Sequence, residues 1–582
     1  MSRTAVPRRL LTGLAAAVAS VALAACSGTV GTVSESTPGS SSGAPSTSTS
    51  ASASASPEAG LQAFYGQKLV WTACGGSFQC SKLTVPLDYA APSGTTIKLA
   101  LLRLRTTNVA GRLGSLVINP GGPGASGVDF ARAARAVIDD PVRARYDIVG
   151  FDPRGVGQSD PVQCLNDKQT DTFIAADGTP DTPAEVAQSA QLAQQFAASC
   201  KARSPQIYAH ISTRDTVNDM DILRAALGDQ KLNWFGFSYG TLLGATYADH
   251  FPTRVGRMVL DGAIDPSLTN VELIHGQAKG FELALHRFVE DCDKQADCPL
   301  PQGAQTGVDR IASFFAALDS KPLPTSDPKR PLTQALAQNA VASYLYFPSY
   351  GDWESLRFGL QAAFDGDGST LLSMLDDRLS RNQAGHYTDN STAALYAISA
   401  LDRPDRPGVA ESAALAAQWT KEAPVFGAFT AWGILPYHYW DVPATDVPHE
   451  IHAPGSPPIL VVGTTYDPAT PYPWAQSLAK QLSKGVLLTR VGDGHTGYGK
   501  GSTCTDTAVD RYLTTGVTPP VGTVCHLRVR PSRGCWQAAP SAARWATPVA
   551  GALPGWGILP ARAVAPGWQY AALAQSVRAT HS

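Results

Sequence analysis

Gly236-Phe237-Ser238-Tyr239-Gly240 is the stretch on which the fold turns. Residues 232–237 before it form a short apolar run of strand type. Thr241-Leu242-Leu243-Gly244-Ala245-Thr246-Tyr247-Ala248 after it reads as a helix. A Gly-x-Ser-x-Gly turn between strand and helix is tight, and it leaves the serine hydroxyl exposed at its apex. The same pattern recurs at Gly39-Ser40-Ser41-Ser42-Gly43, but there no strand precedes it and no helix follows, so it carries no chemistry. The bland reading of Ser238, a structural serine in a tight turn, is judged by whether the chain also supplies a base and an acid.

Working outward, short apolar runs repeat at 116–118, 146–151, 257–260, 459–462 and 486–491, each ending in Gly, Asp or Asn. Most are followed by a helical stretch. That alternation predicts an α/β chain with a mostly parallel central sheet. In such sheets functional groups collect at the carboxyl ends of the strands. A serine nucleophile needs a base, and the base needs an orienting acid. In the strand–elbow–helix setting the expected chain order is Ser, acid, His. His495 follows a strand in the loop Gly494-His495-Thr496-Gly497, and Asp467 follows the preceding strand in Asp467-Pro468-Ala469-Thr470-Pro471. The expected triad is Ser238, Asp467 and His495. Asp493 is a competing acid, but two residues before His495 it is better placed to shape the loop. An acyl transition state also needs donors for its oxyanion. These are expected from the Tyr239 amide and from Gly121 or Gly122, in the glycine-rich loop Asn119-Pro120-Gly121-Gly122-Pro123-Gly124.

Assembled, these residues resemble the α/β-hydrolase peptidases of the prolyl iminopeptidase and tripeptidyl aminopeptidase type, and more closely their exported actinobacterial branch. The resemblance spans residues 71–525. It rests on Val85-Pro86-Leu87-Asp88-Tyr89, residues 119–124, 152–159 and 236–240, Val259-Leu260-Asp261-Gly262, Asp467-Pro468-Ala469-Thr470-Pro471 and Gly494-His495. It implies an α/β-hydrolase fold with an inserted helical cap, expected at 267–445, where residues 281–292 and 356–364 read as amphipathic helices. The core is then 61–266 and 446–527. It also implies a serine exopeptidase that releases di- or tripeptides from free N-termini through an acyl-enzyme. A carboxylesterase using the same triad is the alternative. In the cap, Glu272, Glu282, Glu354 and Asp402 are candidates to bind the substrate amine. Asp152-Pro153-Arg154-Gly155 looks structural by the same likeness. Two positions depart from the branch: Ala400 and Tyr437 stand where relatives carry cysteines. This implies that one cap disulfide is missing here and the cap is more mobile.

The ends carry other signals. Arg3, Arg8 and Arg9 precede an Ala-rich apolar run at 10–25 that closes Leu23-Ala24-Ala25-Cys26. That pattern reads as a lipoprotein signal peptide over 1–25, with Cys26 lipidated. Residues 26–60, dominated by Ser, Thr, Ala, Gly and Pro, read as a tether. The tail 528–582, rich in Ala, Pro, Arg and Trp, has no legible structure. The expected product is an exported enzyme, lipid-anchored at the outer face of the membrane. Such a compartment permits disulfides. Eight cysteines fall into sequence-local couples, Cys74 with Cys80, Cys164 with Cys200, Cys292 with Cys298 and Cys504 with Cys525, though other connectivities stay open. Metal binding is the rival reading, and no matched Cys-x2-Cys pairs support it. Over 582 residues, 44% are hydrophobic and 16% charged, with a net charge of -2. That composition can bury a large core and offers no basic field for nucleic acid. The expectation is a monomer that needs neither cofactor nor metal.

Overall fold

The computed structural model describes residues 60–526. The signal peptide, Cys26, all but the last residue of the tether, and the tail lie outside the described residues. Ten strands form one sheet: β1 (Thr72–Ala73), β2 (Phe78–Pro86), β3 (Thr96–Leu104), β4 (Gly114–Asn119), β5 (Tyr146–Phe151), β6 (Leu232–Phe237), β7 (Val255–Asp261), β8 (Ile459–Tyr466), β9 (Gly485–Asp493) and β10 (Val524–His526). Their order is β1-β2-β3-β5-β4-β6-β7-β8-β9-β10. The first three strands run antiparallel to their neighbours, and every pairing from β5 through β4 to β10 is parallel. The central strands β4 and β5 are buried at every position, as expected of parallel strands covered on both faces. The strand ends read from the sequence therefore meet along one rim. The antiparallel β1–β3 were not legible as sheet.

The cover is built from two insertions. Between β7 and β8 come nine helices, from Asn270–Cys292 to Leu435–His438. Part of this stretch has its own apolar core, with Leu285, Phe288, Phe315, Leu336 and Leu375 buried together. The first cap helix starts on a capping box: Thr269 accepts from the Glu272 amide, and Glu272 accepts back from Thr269. The second insertion lies between β5 and β6, where Asp167–Ala175 and Pro183–Arg203 are helical. Residues 61–266 were expected to be core throughout. Instead Ile174 and Ala175 pack on the cap cluster, so the cover is not confined to 267–445.

At the positions where relatives were expected to carry a disulfide, Ala400 and Tyr437 are buried in the main core. The Tyr437 ring packs 5.6 Å from that of Tyr396. The four cysteine couples all lie at bonding distance. Disulfides persist outside reducing compartments, so the chain is an extracytoplasmic protein. Among the described residues no helix is long and apolar enough to cross a membrane.

Candidate active site

Ser238 sits at the apex of the turn from β6 into the helix Tyr239–His250, with φ 54° and ψ -124°. A non-glycine residue holds such a conformation only where its surroundings over-determine it. Here the Ser238 amide donates to Asp261 O at 2.9 Å, and the Thr241 amide donates to Ser238 O at 2.8 Å. Gly236 is required because a Cβ there would run into the Gly240 carbonyl. Gly121, at φ +99°, backs onto the same turn: a Cβ would come 2.8 Å from Ser238 Cβ and 3.0 Å from the Tyr239 nitrogen.

Asp467 and His495 are buried together at the ends of β8 and β9. His495 Nδ1 lies 2.8 and 2.9 Å from the two Asp467 oxygens. A carboxylate can only accept, so Nδ1 carries the proton and Nε2 is left as the acceptor. Asp467 also accepts from the amides of Ala469, Thr470 and Thr496 and from the Thr470 hydroxyl, all within 3.0 Å. That shell fixes the orientation of the carboxylate. His495 Nε2 is buried and makes no hydrogen bond, to Ser238 or to any other group. Catalytic hydrogen bonds of this kind tighten when substrate arrives. The strand end Asp261–Gly262 bridges the two halves. The Asp261 backbone holds Ser238, and its carboxylate accepts the Gly497 and Tyr498 amides at 2.7 and 2.8 Å. Burial pushes the Asp261 carboxyl up to about 6, against the pull of those two amides.

The upstream loop sharpens one expectation. The Gly121 amide donates to Asn119 Oδ1 at 2.9 Å, so it is already used inside the loop. Gly122, which lines the cavity with Ser238, is the remaining amide of the pair. Tyr239 opens a helix, and first-turn amides have no partner within the helix. Its hydroxyl is held 2.5 Å from Thr213 Oγ1.

Asp493 has its own work. Arg287, on a cap helix, holds both its oxygens at 2.7 and 3.0 Å. The Asp152 carboxylate ties Ser126, Val128 and Gln158. Arg154 is fully buried against Asp219. Both act as braces.

The four cap acids do not converge. Glu272 caps its helix. Glu354 is exposed on the outer side of its own. Glu282 is buried, accepting the Val425 and Phe426 amides. Asp402 alone among them reaches the cavity.

That cavity has a volume of about 400 Å³ and opens onto Ser238, Tyr239 and Gly122. Tyr346, which no sequence pattern flagged, lines it. Its carbonyl accepts the His495 amide at 2.8 Å, and its ring stands edge-on to the imidazole at 5.4 Å. Thr470 was foreshadowed only by its spacing three residues after Asp467. Among the described residues no cluster of His, Cys, Asp or Glu could hold a metal.

Residues 423–525, which carry Asp467 and His495 but not Ser238, match the family model described as TAP-like protein. Serine protease Hip1 of Mycobacterium tuberculosis is 39% identical over 487 residues, covering 79% of this chain and 91% of that protein. Carboxylesterase B of the same species is 36% identical over 456 residues, covering 77% and 86%. Tripeptidyl aminopeptidase of Streptomyces lividans is 31% identical over 488 residues, covering 79% and 87%. Identity at this level, sustained across most of both chains, means that this chain belongs to the TAP-like family of α/β-hydrolases and is a serine hydrolase.

Proposed function

We propose that this chain is a serine exopeptidase that releases short, di- or tripeptide fragments from the N-termini of peptides. The observation that carries the proposal is the buried Asp467–His495 pair behind the Ser238 turn, with a cavity over it roofed by two helical insertions. A roofed cavity takes the end of a chain more readily than its middle. Ser238 Oγ attacks the scissile carbonyl while His495 Nε2 takes its proton. The amides of Tyr239 and Gly122 bind the oxyanion. His495 returns the proton to the leaving amine as the C–N bond breaks, leaving an acyl-Ser238. Water, deprotonated by the same nitrogen, then releases the acid and regenerates the serine. Asp467 holds the imidazole tautomer throughout.

In this reading lipidated Cys26 anchors the mature chain at the outer face of the membrane, and residues 26–60 hold it off the surface. The chain acts as a monomer and binds no nucleic acid.

A second reading keeps the triad and changes the substrate to an ester. It is favoured by the similarity to carboxylesterase B and by the aromatic lining of the cavity, which includes Phe173, Phe281 and Phe426. Fluorophosphonate labelling of the purified chain, followed by turnover of free and N-acetylated tripeptide amides and a p-nitrophenyl ester, separates the two. Labelling at Ser238 with preference for free peptides is expected. Failure of Ser238 to label removes both readings, and turnover of the ester alone leaves only the second.

A further inference from the structure

Three charged side chains line the cavity above Ser238: Asp177, Asp402 and Arg403. Asp402 is already satisfied. Its oxygens accept from the Thr213 amide at 2.7 Å and the Thr213 hydroxyl at 2.6 Å; burial pushes its pKa up to about 6, against the pull of the Thr213 hydroxyl and of Arg403. In formal charge Asp402 and Arg403 offset one another. Asp177 is different. One oxygen accepts from the Thr179 amide at 2.8 Å, and the other is buried with no partner. The charged groups that act on it are Asp319, Glu185 and Asp181, all acids, and burial together with these neighbours raises its pKa. A carboxylate oxygen that has lost water and gained no donor is costly unless a ligand completes it.

The loop that carries Asp177 is held in place. Thr179 Oγ1 donates to Gln334 Oε1 at 2.6 Å, at the start of the cap helix Gln334–Tyr344. Gly178 backs onto Phe429 so closely that a Cβ would come 2.5 Å from the ring. Asp177 thus lines, on a fixed loop, the same cavity as the nucleophile.

We infer that Asp177 is the specificity-determining residue that anchors the free α-ammonium of the peptide substrate, its unpartnered oxygen accepting one of the ammonium protons. The inference rests on the exopeptidase reading and deepens it. The uncompensated charge in the cavity is negative, so the site selects an amino end and repels a carboxyl end. An ammonium supplies both the missing donor and the missing charge. None of the acids singled out from the cap sequence fills this role. The anchor comes from the insertion between β5 and β6.

The test uses tripeptide aminocoumarin amides with a free, an acetylated or a succinylated N-terminus, with each preparation normalised by fluorophosphonate titration. The wild-type chain is expected to prefer the free peptide. Asp177→Asn should reduce the free-to-acetylated ratio of kcat/KM by on the order of 10- to 100-fold, the worth of a hydrogen bond to a charged group. Asp177→Glu should retain part of the preference, and Asp177→Lys should turn it toward the succinylated peptide. If the wild-type chain prefers free peptides and Asp177→Asn keeps the same ratio, Asp177 is not the anchor and the exopeptidase reading survives. If the wild-type chain shows no preference, the exopeptidase reading falls and the anchor with it. Should Asp177→Asn fail to fold, the response of Asp177→Glu and Asp177→Lys to the same three peptides decides the matter.

Discussion

The Asp467 carboxylate receives the His495 ring, three backbone amides and one hydroxyl. An amide in its place cannot accept from all of these and turns an NH2 toward Nδ1 or toward a backbone donor. Asp467→Asn should therefore lower kcat by on the order of 10⁴-fold, the scale set by the corresponding change in a Ser-His-Asp triad, with Ser238 labelling by fluorophosphonate slowed in parallel. Lys500 makes a second prediction. It is buried with its Nζ 4.3 Å from the Phe347 ring and 4.4 Å from that of Tyr350. Burial pushes its pKa down from 10.5 to about 7, although the Asp261, Asp352 and Asp467 carboxylates pull upward; Arg490 adds to the lowering. Above pH 7 the unfolded chain keeps a proton on this amine that the folded chain has released, so this group makes stability rise with pH. Melting measured from pH 7 to 9 should show that rise in the wild type and a flatter curve in Lys500→Met. The placement of Ser238, Asp467 and His495 just after β6, β8 and β9 was legible because each follows an apolar run in a local Gly- or Pro-marked pattern. The use of the Gly121 amide by Asn119 was not, because glycine-rich loops do not declare which amide they keep for themselves.

Two elements of the insertion between β7 and β8 grip the loop that carries His495. Arg287 reaches from Asn270–Cys292 to Asp493 and lies 4.5 Å over the Tyr466 ring. The segment 346–350 takes the His495 amide on Tyr346 O, and Tyr350 donates to Gly499 O at 2.8 Å. The insertion thereby holds the His495 loop in position as well as lining the cavity. Arg287→Ala should lower kcat about 10-fold or more with KM little changed, since small misplacements of a catalytic group cost rate. Arg287→Lys should restore only part of the loss, because one ammonium cannot span both carboxylate oxygens. Steady-state kinetics on one tripeptide amide check both. The existence of these helices could be read from their periodicity. Their contacts could not, because Arg287 and Asp493 are 206 residues apart and nothing local to either announces the other.

Across the molecule, the parallel half of the sheet was foreseeable from its buried apolar runs. The antiparallel β1–β3 and the contribution of 167–203 to the cavity were not. That second insertion is bound to the body by Cys164–Cys200, which closes a 36-residue separation. Cys164→Ser with Cys200→Ser should cost about 4 kcal/mol of stability on chain-entropy grounds, measured by urea unfolding. It should also raise KM for free-amine peptides, because Asp177 rides on the loosened segment. The other cystines have a different consequence. Both margins of the ten-stranded sheet are very short strands, β1 of two residues and β10 of three. Cys74–Cys80 staples the β1 margin and Cys504–Cys525 staples β10. A sheet edge offers open backbone donors and acceptors to any other strand it meets, and short, locked margins deny that template. Reduction should therefore turn the molecule adhesive toward its own copies before the buried Asp467–His495 pair is disturbed, so that on the reducing side of a membrane the hazard is self-association first and loss of catalysis second.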